Sequence, residues 1–429
     1  MVRIIIFFNI FTFNSFIIDN YEQKKEGYNL NDWKRNLTFC WFGMFVTMIG
    51  ISQIAPVLPL YIKDLGVNDT ALIERFSGIA FGGTFIVSAI FSPIWGKLAD
   101  KVGRKPMLLR ASLGMAIVIF FIGFVTNVYE LIALRFLQGI ISGYGTACTT
   151  LVATQTDKEH AGFALGTLST ASIAGSLLGP LIGGYLEDTL GMRSVFTVTS
   201  FLLILSFITT LIFVKEEFRR PDKEIPNMKE IWGKLPNPDL MITMFLTAFI
   251  LQLAFYSIEP IITVYVSELS KNMVHVALIS GLAFSASGMA NILAAPKLGK
   301  LSDKIGPQKV MLVALIIAGI VFIPQAFVKN PWQLMGLRFV LGLAAAGLLP
   351  SINIMVKKIV PQDITGRIFG ISISAQYLGT FFGSTLGGQI AATFGIKYVF
   401  FITSGLLLIN AIIIYKGVYN KDILKLSQA

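Results

Sequence analysis

The chain has 429 residues, of which 54% are hydrophobic and only 14% are charged, and its mean hydropathy is +0.72. A soluble domain carries more polar surface than this composition provides. Unbroken apolar runs long enough to cross the ~30 Å hydrocarbon core of a bilayer recur along the whole sequence, whereas a membrane β-barrel would show short alternating segments. The sequence therefore predicts an all-α polytopic membrane protein.

The net charge is +11, and its distribution along the sequence suggests a topology. Most lysines and arginines fall in the N-terminal segment, the C-terminus and alternate loops, which predicts that both termini are cytoplasmic. Basic loops beside the anionic lipid of a plasma or inner membrane account for the charge without a nucleic-acid partner. Cys40 and Cys148 lie in predicted helices and are interpreted as small apolar residues.

Residues 1–36 are the least regular part of the sequence. The stretch 4–18 is apolar but interrupted by polar residues, so an interfacial segment, a signal-like segment and an upstream extension of the reading frame all stay open. A true span here would make thirteen helices and invert the topology. The basic residues just before the next apolar run favour placing 1–36 outside the fold.

Twelve spans are predicted after this segment. Their approximate bounds are 37–62, 73–96, 106–126, 129–154, 160–187, 191–214, 239–266, 274–298, 308–328, 331–356, 365–391 and 395–416. The proline-rich stretch 215–238 between spans six and seven is predicted to be a cytoplasmic linker with room for an amphipathic helix. It divides the chain into halves at 37–214 and 239–416, followed by a cytoplasmic tail at 417–429.

A repeat relates the two halves. GKLADKVGRKP begins at Gly96, and GKLSDKIGPQK begins at Gly299, 203 positions later. Other pairs recur at this offset or the next one, including Asp100 with Asp303, Arg135 with Arg338, and Gly184 with Gly388. Each half has an even number of spans, so both insert with the same orientation. The sequence predicts two parallel six-helix repeats around a central cavity, an arrangement known from secondary transporters.

Three motifs carry a family resemblance that covers residues 37–416. The stretch GKLADKVGRKPML resembles motif A of the major facilitator superfamily, and LRFLQG at 134–139 resembles its helix-4 motif B. The third motif resembles motif C of drug:proton antiporters and comprises Gly175, Gly179, Pro180, Gly183 and Gly184. The resemblance implies a proton-coupled multidrug efflux transporter that exports lipophilic, cationic or zwitterionic compounds by alternating access and confers antibiotic resistance.

Motif A is predicted to be a tight turn around a carboxylate. Glycines permit the turn, and the resemblance implies that the carboxylate caps the start of helix 11 as a latch that closes the cytoplasmic side. The alternative is a basic loop that only sets topology. Because aspartate and glycine repeat in both halves, we favour the latch. Its predicted residues are Gly96, Asp100, Gly103, Arg104 and Asp303.

Two charged residues inside spans are candidates for proton coupling. Arg135 must face a wet cavity or a partner, because a guanidinium in hydrocarbon is costly, and the resemblance implies coupling. The alternative is an arginine that reaches the outer interface. Glu259 is the carboxylate placed well inside a span, and it can bind a proton or a cationic drug in alternation. A hydrated position near the external mouth is an equally open interpretation of Glu259.

Motif C places Gly175, Gly179 and Gly183 on one helix stripe, which permits close approach of a second helix, while Pro180 can bend the helix. Ordinary small-residue packing is the alternative. The substrate cavity is predicted to be broad and aromatic with few polar anchors. The anchors chosen are Gln138, Gln252 and Tyr256.

Other classes of function have little support in the sequence. It has no P-loop, and its two histidines, His160 and His275, lie near loops. ATP hydrolysis, a metal site and an enzymatic nucleophile–histidine pair are therefore not expected. We expect no cofactor, the proton gradient as the energy source, drugs, protons and lipid as partners, and a monomer. The alternatives are a metabolite or sugar transporter of the same fold and a non-transporting membrane sensor.

Overall fold

The structure is a computed structural model that describes residues 32–157, 160–216, 218, 228–233, 235–270, 275–361 and 364–419. Within these ranges the chain is helical and contains no strand, which confirms the predicted fold class. The predicted N-terminal segment and C-terminal tail lie almost wholly outside the described residues. The boundaries proposed for the two halves stay predictions.

The helices match the twelve predicted spans in order, and several spans are built from two pieces. Numbered along the chain, the spans are Asp32–Ser52 with Ile54–Asp64 (1), Thr70–Val102 (2), Lys105–Ile122 (3), Val128–Ile141 with Tyr144–Gln155 (4), Ala161–Leu190 (5), Met192–Phe213 (6), Pro238–Tyr256 with the 3-10 turn Glu259–Ile261 and Ile262–Leu269 (7), Val276–Ile305 (8), Pro307–Gln325 (9), Pro331–Ala345 with Leu348–Ile359 (10), Thr365–Phe394 (11) and Ile396–Ile414 (12). A short helix, Met228–Gly233, lies in the predicted linker.

Length and hydropathy support a membrane position for most of these helices. Among the described residues, ten helical stretches are long and apolar enough to cross a membrane, and the pair Trp33–Ser52 and Ile54–Asp64, bent by 44°, makes an eleventh. Span 11 is the remaining one: its 30 residues are long enough to cross, but they are rich in glycine, serine and threonine. Those small residues let it pack tightly against other helices.

Local chemistry explains where the helices begin and end. Asp69 Oδ1 accepts hydrogen bonds from the amides of Ala71 (2.8 Å) and Leu72 (3.3 Å) and so caps span 2. Span 2 ends at Gly103, whose φ of +99° suits glycine. The sequence predicted a tight turn that included Gly96 and Asp100, and this prediction is wrong. Both residues lie inside the helix, and the chain turns only at Gly103.

The two halves pack most extensively along two helix pairs, and Thr263 of span 7 also donates to the carbonyl of Pro56 in span 1 at 2.9 Å. Spans 2 and 11 form one contact, here called the 2–11 seam, and spans 5 and 8 form the other, the 5–8 seam. A Cβ added at Gly78 would overlap the carbonyl oxygen of Ser384, and one added at Gly281 would overlap that of Pro180. Backbone therefore touches backbone at both seams, and this is possible only with residues as small as glycine.

The seams occupy only one end of the bundle. Contacts across the halves run over 74–85 of span 2, 177–188 of span 5, 277–288 of span 8 and 377–388 of span 11. Toward the other end, a Cβ added at Gly162, Gly299 or Gly370 would meet nothing within 4 Å. We call the packed end the closed end, and the end that carries Gly103 and Gly306 the basic end. The space between the halves therefore opens at the basic end.

Candidate functional site

A cavity of about 420 Å³ lies between the halves, and its walls come from spans 1 to 5 and span 11. This volume falls within the range of small-molecule sites. Most of the exposed lining surface is apolar, and serine and threonine residues supply much of the rest. The apolar and aromatic side chains include Met44, Met48, Phe81, Phe85, Met115 and Tyr377. Flexible methionine and aromatic side chains adapt to ligands of different shape. Of the residues that line it, Arg135 alone is charged.

Arg135 is held in place by its neighbours. It is 3% exposed, its Nε donates to the carbonyl of Ala80 at 3.1 Å, and its Nη1 donates to Gln138 Oε1 at 2.5 Å. The hydroxyl of Thr84 donates to the carbonyl of Arg135 at 3.0 Å. These bonds fix the guanidinium against spans 2 and 4. The structure thus brings together Arg135 and Gln138, two of the residues chosen from the sequence, at the cavity wall.

Tyr256 and Gln252 lie beside the cavity and are not part of its lining. The Tyr256 ring packs against Phe81 and Phe85, with centroids 5.9 and 6.0 Å apart, and so connects the two halves above the cavity. Gln252 Nε2 donates to Gln376 Oε1 at 3.3 Å, within the second half. Tyr256 therefore sits at the roof of the cavity, and Gln252 links spans 7 and 11.

Glu259 lies one turn beyond Tyr256, toward the closed end. It begins the 3-10 turn that interrupts span 7 and precedes Pro260, whose missing amide cannot continue an α-helix. Its side chain is half-buried and does not line the cavity. The positive charge of Arg338, in span 10, interacts electrostatically with the Glu259 carboxylate. Arg338 itself is 3% exposed, and its guanidinium carbon lies 5.6 Å from the Phe284 ring centre.

The motif A residues form contacts within the first half. Arg104 Nη2 lies 2.5 Å from Asp100 Oδ1, one helical turn away. Neither Asp100 nor Arg104 forms a hydrogen bond or ion pair with the described residues of span 11, because the halves are apart at the basic end. The latch to helix 11 therefore stays a prediction for a conformation closed at this end. The side chain of Asp303 lies outside the described residues.

Sequence reasoning missed the role of Glu216, which it assigned to the linker. One Glu216 oxygen accepts the amide of Arg104 and the other the amide of Lys105, both at 2.7 Å. The carboxylate thereby caps the start of span 3, where unpaired amides carry partial positive charge. Gly103 leaves room for this carboxylate, since a Cβ there would lie 2.7 Å from Glu216 Oε2. The signal in the sequence is an acidic pair directly after a span.

Sequence reasoning also missed a break in span 4 at the cavity floor. Gly143, with φ of +117°, separates Val128–Ile141 from Tyr144–Gln155. Arg110 of span 3 donates to the freed carbonyls of Ile141 (3.2 Å) and Ser142 (2.8 Å). Its guanidinium also lies 3.6 Å from the Trp95 ring centre. A glycine beside serine inside an apolar run was the available sign of this break.

Motif C forms the predicted close helix contact. Added Cβ atoms at Gly175, Gly179 and Gly183 would each press into span 1, around Met48, Ser52 and Gln53. Gly184 turns the other way and meets Ala277 of span 8, across the 5–8 seam. Pro180 lies inside a continuous helix, Ala161–Leu190, and its bending role stays a prediction. The stripe thus joins spans within one half, and the final glycine joins the halves.

Comparison with known proteins places this architecture in a family. The model of the Major Facilitator Superfamily matches residues 40–280 and 244–425. Two relatives are called Multidrug resistance protein MdtG: the protein of Citrobacter koseri is 45% identical over 89% of this chain and 94% of its own, and that of Salmonella arizonae is 44% identical over 89% and 95%.

Solved structures share the fold at low identity. A bacterial homologue of the human lysosomal transporter Spinster, inward-facing and unoccupied, is 14% identical with a TM-score of 0.74 over 91% of this chain and 98% of that one. The human organic anion transporter MFSD10 is 16% identical with a TM-score of 0.67 over 89% and 99%. With two repeats, a central cavity and these matches, the chain belongs to the major facilitator superfamily, as the sequence motifs indicated.

Proposed function

We propose that this protein exports chemically diverse drugs by alternating access, driven by protons that move inward. The observation that carries the proposal is the adaptable cavity of about 420 Å³ that is sealed at the closed end and open at the basic end. The names of the MdtG relatives support the same substrate class. One chain holds the whole cavity, so a monomer is the proposed working unit.

We assign the basic end to the cytoplasm, since lysine and arginine are retained on that side of a membrane. Both termini are then cytoplasmic, the protein lies in the plasma or inner membrane, and the conformation is open to the cell interior. A drug enters the cavity from the cytoplasm or the inner leaflet. The exporter then has to open the two seams and close the basic end, where the Asp100 latch would act.

Glu259 is the proposed coupling carboxylate, with Arg135 as the second charged group. A carboxyl group that leaves water for an apolar site binds a proton more readily, and a cationic ligand opposes that binding. Drug and proton therefore compete for one negative charge. Arg338 supplies a positive countercharge when Glu259 has bound neither a proton nor a drug. The proton gradient then replaces any bound cofactor as the energy source.

The charge of the lining refines the expected substrates. Arg135 is the charged residue of the cavity, and Glu259 lies beyond its roof. A zwitterionic drug can place an acidic group near Arg135 and a basic group toward Glu259, whereas a purely cationic drug must pass a like charge. We therefore expect zwitterionic lipophilic drugs, whose basic group can compete with the proton at Glu259, to be better substrates than compact cations.

Inside-out vesicles with an acidified interior test the function. A zwitterionic, a cationic and a neutral drug are added in turn, and proton release is recorded for the wild type, for Glu259→Gln and for Glu130→Gln. Glu130 is exposed at the closed end and bound to Thr126, so its variant is the matched control. Drug-dependent release that Glu259→Gln lowers by about tenfold or more, as for loss of a group used in every cycle, supports the proposal.

Other outcomes separate the alternatives. Release that survives in Glu259→Gln keeps the exporter and removes Glu259 from coupling. Failure of all three drugs, with saturable uptake of one sugar or metabolite, would replace drug export by transport of a defined nutrient. Absence of transport for every compound would favour a membrane sensor on the same fold.

A further inference from the structure

A second carboxylate, Glu74 of span 2, is buried at the closed end of the bundle. It is 3% exposed. It lies just inside the closed end, one turn after the cap residue Asp69. Neither the cavity nor the coupling scheme uses it. An ionisable group at such a depth calls for a physical explanation.

Glu74 belongs to the stripe that makes the 2–11 seam. Residues 74, 78 and 82 are spaced four apart and share one helix face. A Cβ added at Gly388 of span 11 would overlap the carbonyl oxygen of Glu74, just as one at Gly78 would overlap that of Ser384. The glutamate therefore lies where the two halves approach most closely, and opening the seam would bring water to it.

The nearest charges cannot compensate an ionised Glu74. The two that act on it most are Glu268 of span 7 and Asp69, and both are acidic. Within the described part of the chain, no hydrogen-bond donor or cation pairs with its carboxyl group. An ionised form in the closed seam would be buried beside like charges without compensation, which is strongly unfavourable.

Other charged groups around span 2 have different positions or partners. Arg75 follows Glu74 on the same helix, and its Nε is buried without a partner, but adjacent residues on a helix point to different sides. The elements packed against span 2 contribute Lys63 and Asp64, which are exposed at the end of span 1, Glu130 and Arg135 of span 4, whose bonds are given above, and Glu259 of the 3-10 turn. Arg110 of span 3 and Arg367 of span 11 lie toward the basic end.

We propose that Glu74 is a proton-binding site of the external gate, protonated whenever the 2–11 seam is closed. When the halves separate outside, the carboxylate meets water and exchanges its proton with the external solution. Closing the seam requires that it take one proton from that solution, and reopening returns the proton to the same side. No net proton crosses the membrane through Glu74, so this role differs from coupling at Glu259.

This inference rests on the alternating access and the membrane orientation of the proposed function. The equilibrium between the closed and the open seam then depends on pH. The closed seam binds one proton more than the open seam. Acid outside therefore favours the inward-open conformation, and rising pH favours opening to the exterior.

The test is a distance measurement on the full chain in lipid nanodiscs, with no drug present. Spin labels are attached at Asn68→Cys and Phe394→Cys, exposed sites that flank the 2–11 seam. The native thiols of Cys40 and Cys148 are buried and free. The ratio of short to long distances in the population is followed between about pH 5 and 9.

The wild-type ratio is expected to fall as pH rises, by up to about tenfold per unit, the limit for one proton. Glu74→Gln is expected to hold the short distance across the range. Should this variant not fold, Glu74→Asp is expected to keep the slope with a displaced midpoint, and an unchanged midpoint would overturn the proposal. A ratio constant with pH in the wild type, or an unchanged slope in Glu74→Gln, would also overturn it.

Two further variants test whether another group is the sensor. Glu259→Gln and His275→Gln are expected to retain the wild-type slope, and loss of the slope in either would move the proton site away from Glu74. Drug-dependent proton release by the same wild-type preparation tests export separately. Release together with a pH-independent gate would overturn the role of Glu74 alone, whereas a pH-dependent gate without release would overturn only the drug:proton scheme.

Discussion

The 2–11 and 5–8 seams are built on the same backbone geometry. In the 2–11 seam, Gly388 meets the carbonyl of Glu74, and in the 5–8 seam Gly184 meets that of Ala277. Glu74 and Ala277 are 203 positions apart, the offset of the repeat. The repeat therefore preserves the close helix approach in both halves.

The seams differ in whether the carboxylate in each has a hydrogen-bond donor or cation beside it. In the 5–8 seam, Asp188 Oδ2 accepts the amide of Leu278 at 3.1 Å and lies 3.5 Å from His275 Nδ1. This carboxylate caps the start of span 8, so it remains satisfied as an anion while the seam is closed. Glu74 has no such partner. The same backbone contact thus holds a capped carboxylate, Asp188, in one seam and, by our proposal, a neutral one, Glu74, in the other.

The largest expected effect comes from filling the backbone contact. Gly388→Val would force the side chain into the carbonyl of Glu74, and overpacking of this kind costs about 1–3 kcal/mol. That energy shifts an equilibrium by about fivefold to more than a hundredfold, away from the closed seam. We expect drug efflux from cells to fall by at least about fivefold, with the Asn68–Phe394 label distance shifted to long values.

Gly405→Val is the matched control, because a Cβ there meets nothing within 4 Å. Gly184→Val, which presses into Ala277, is expected to act like Gly388→Val if the seams open together. Normal efflux in Gly388→Val would show that the 2–11 contact is not needed for the cycle. Loss of efflux in only one of the two seam variants would mean that the seams open independently.

Much of this arrangement was predictable from the sequence, because residue spacing and the internal repeat indicate it directly. The twelve spans follow from apolar run length, and the glycine stripes at 175–184 and 379–388 follow from a period of four. The pairing of Arg135 with Gln138 follows from a spacing of three on a helix. These features depend on local geometry, which a single helix already defines.

Features that depend on packing between distant segments were not predictable. Glu74 lies at the start of an apolar run, and the approach of span 11, which brings Gly388 against its carbonyl, cannot be read from that run. Glu216 lies over a hundred positions from the amides that it caps. The partner of Asp100 depends on which end of the bundle is open, and sequence does not encode one conformation of an alternating-access protein.

A smaller effect is expected at the 5–8 seam, where the charge is satisfied. Asp188→Ala removes the cap on Leu278, and loss of a cap costs about 1 kcal/mol, which is about a fivefold shift in population. Asp188→Asn keeps an acceptor oxygen and loses only the charge toward His275, so its shift is expected to be about twofold. Label distances and efflux rates measure both. Equal effects of the two variants would assign the role of Asp188 to charge instead of capping.

The smallest effect is expected at the basic end, where the seams are open and the contacts stay within one half. Glu216→Ala frees the amides of Arg104 and Lys105, and it is expected to cost about 1 kcal/mol of stability, seen as a fall of ~2 °C in the unfolding temperature. Glu216→Asp keeps the charge but is too short to reach both amides, so an intermediate fall is expected. The Asn68–Phe394 distances should not change in either variant, because the cap does not cross the halves. A change in those distances would show that the motif A loop acts on the closed end even when the basic end is open, and the two ends would then be one coupled gate.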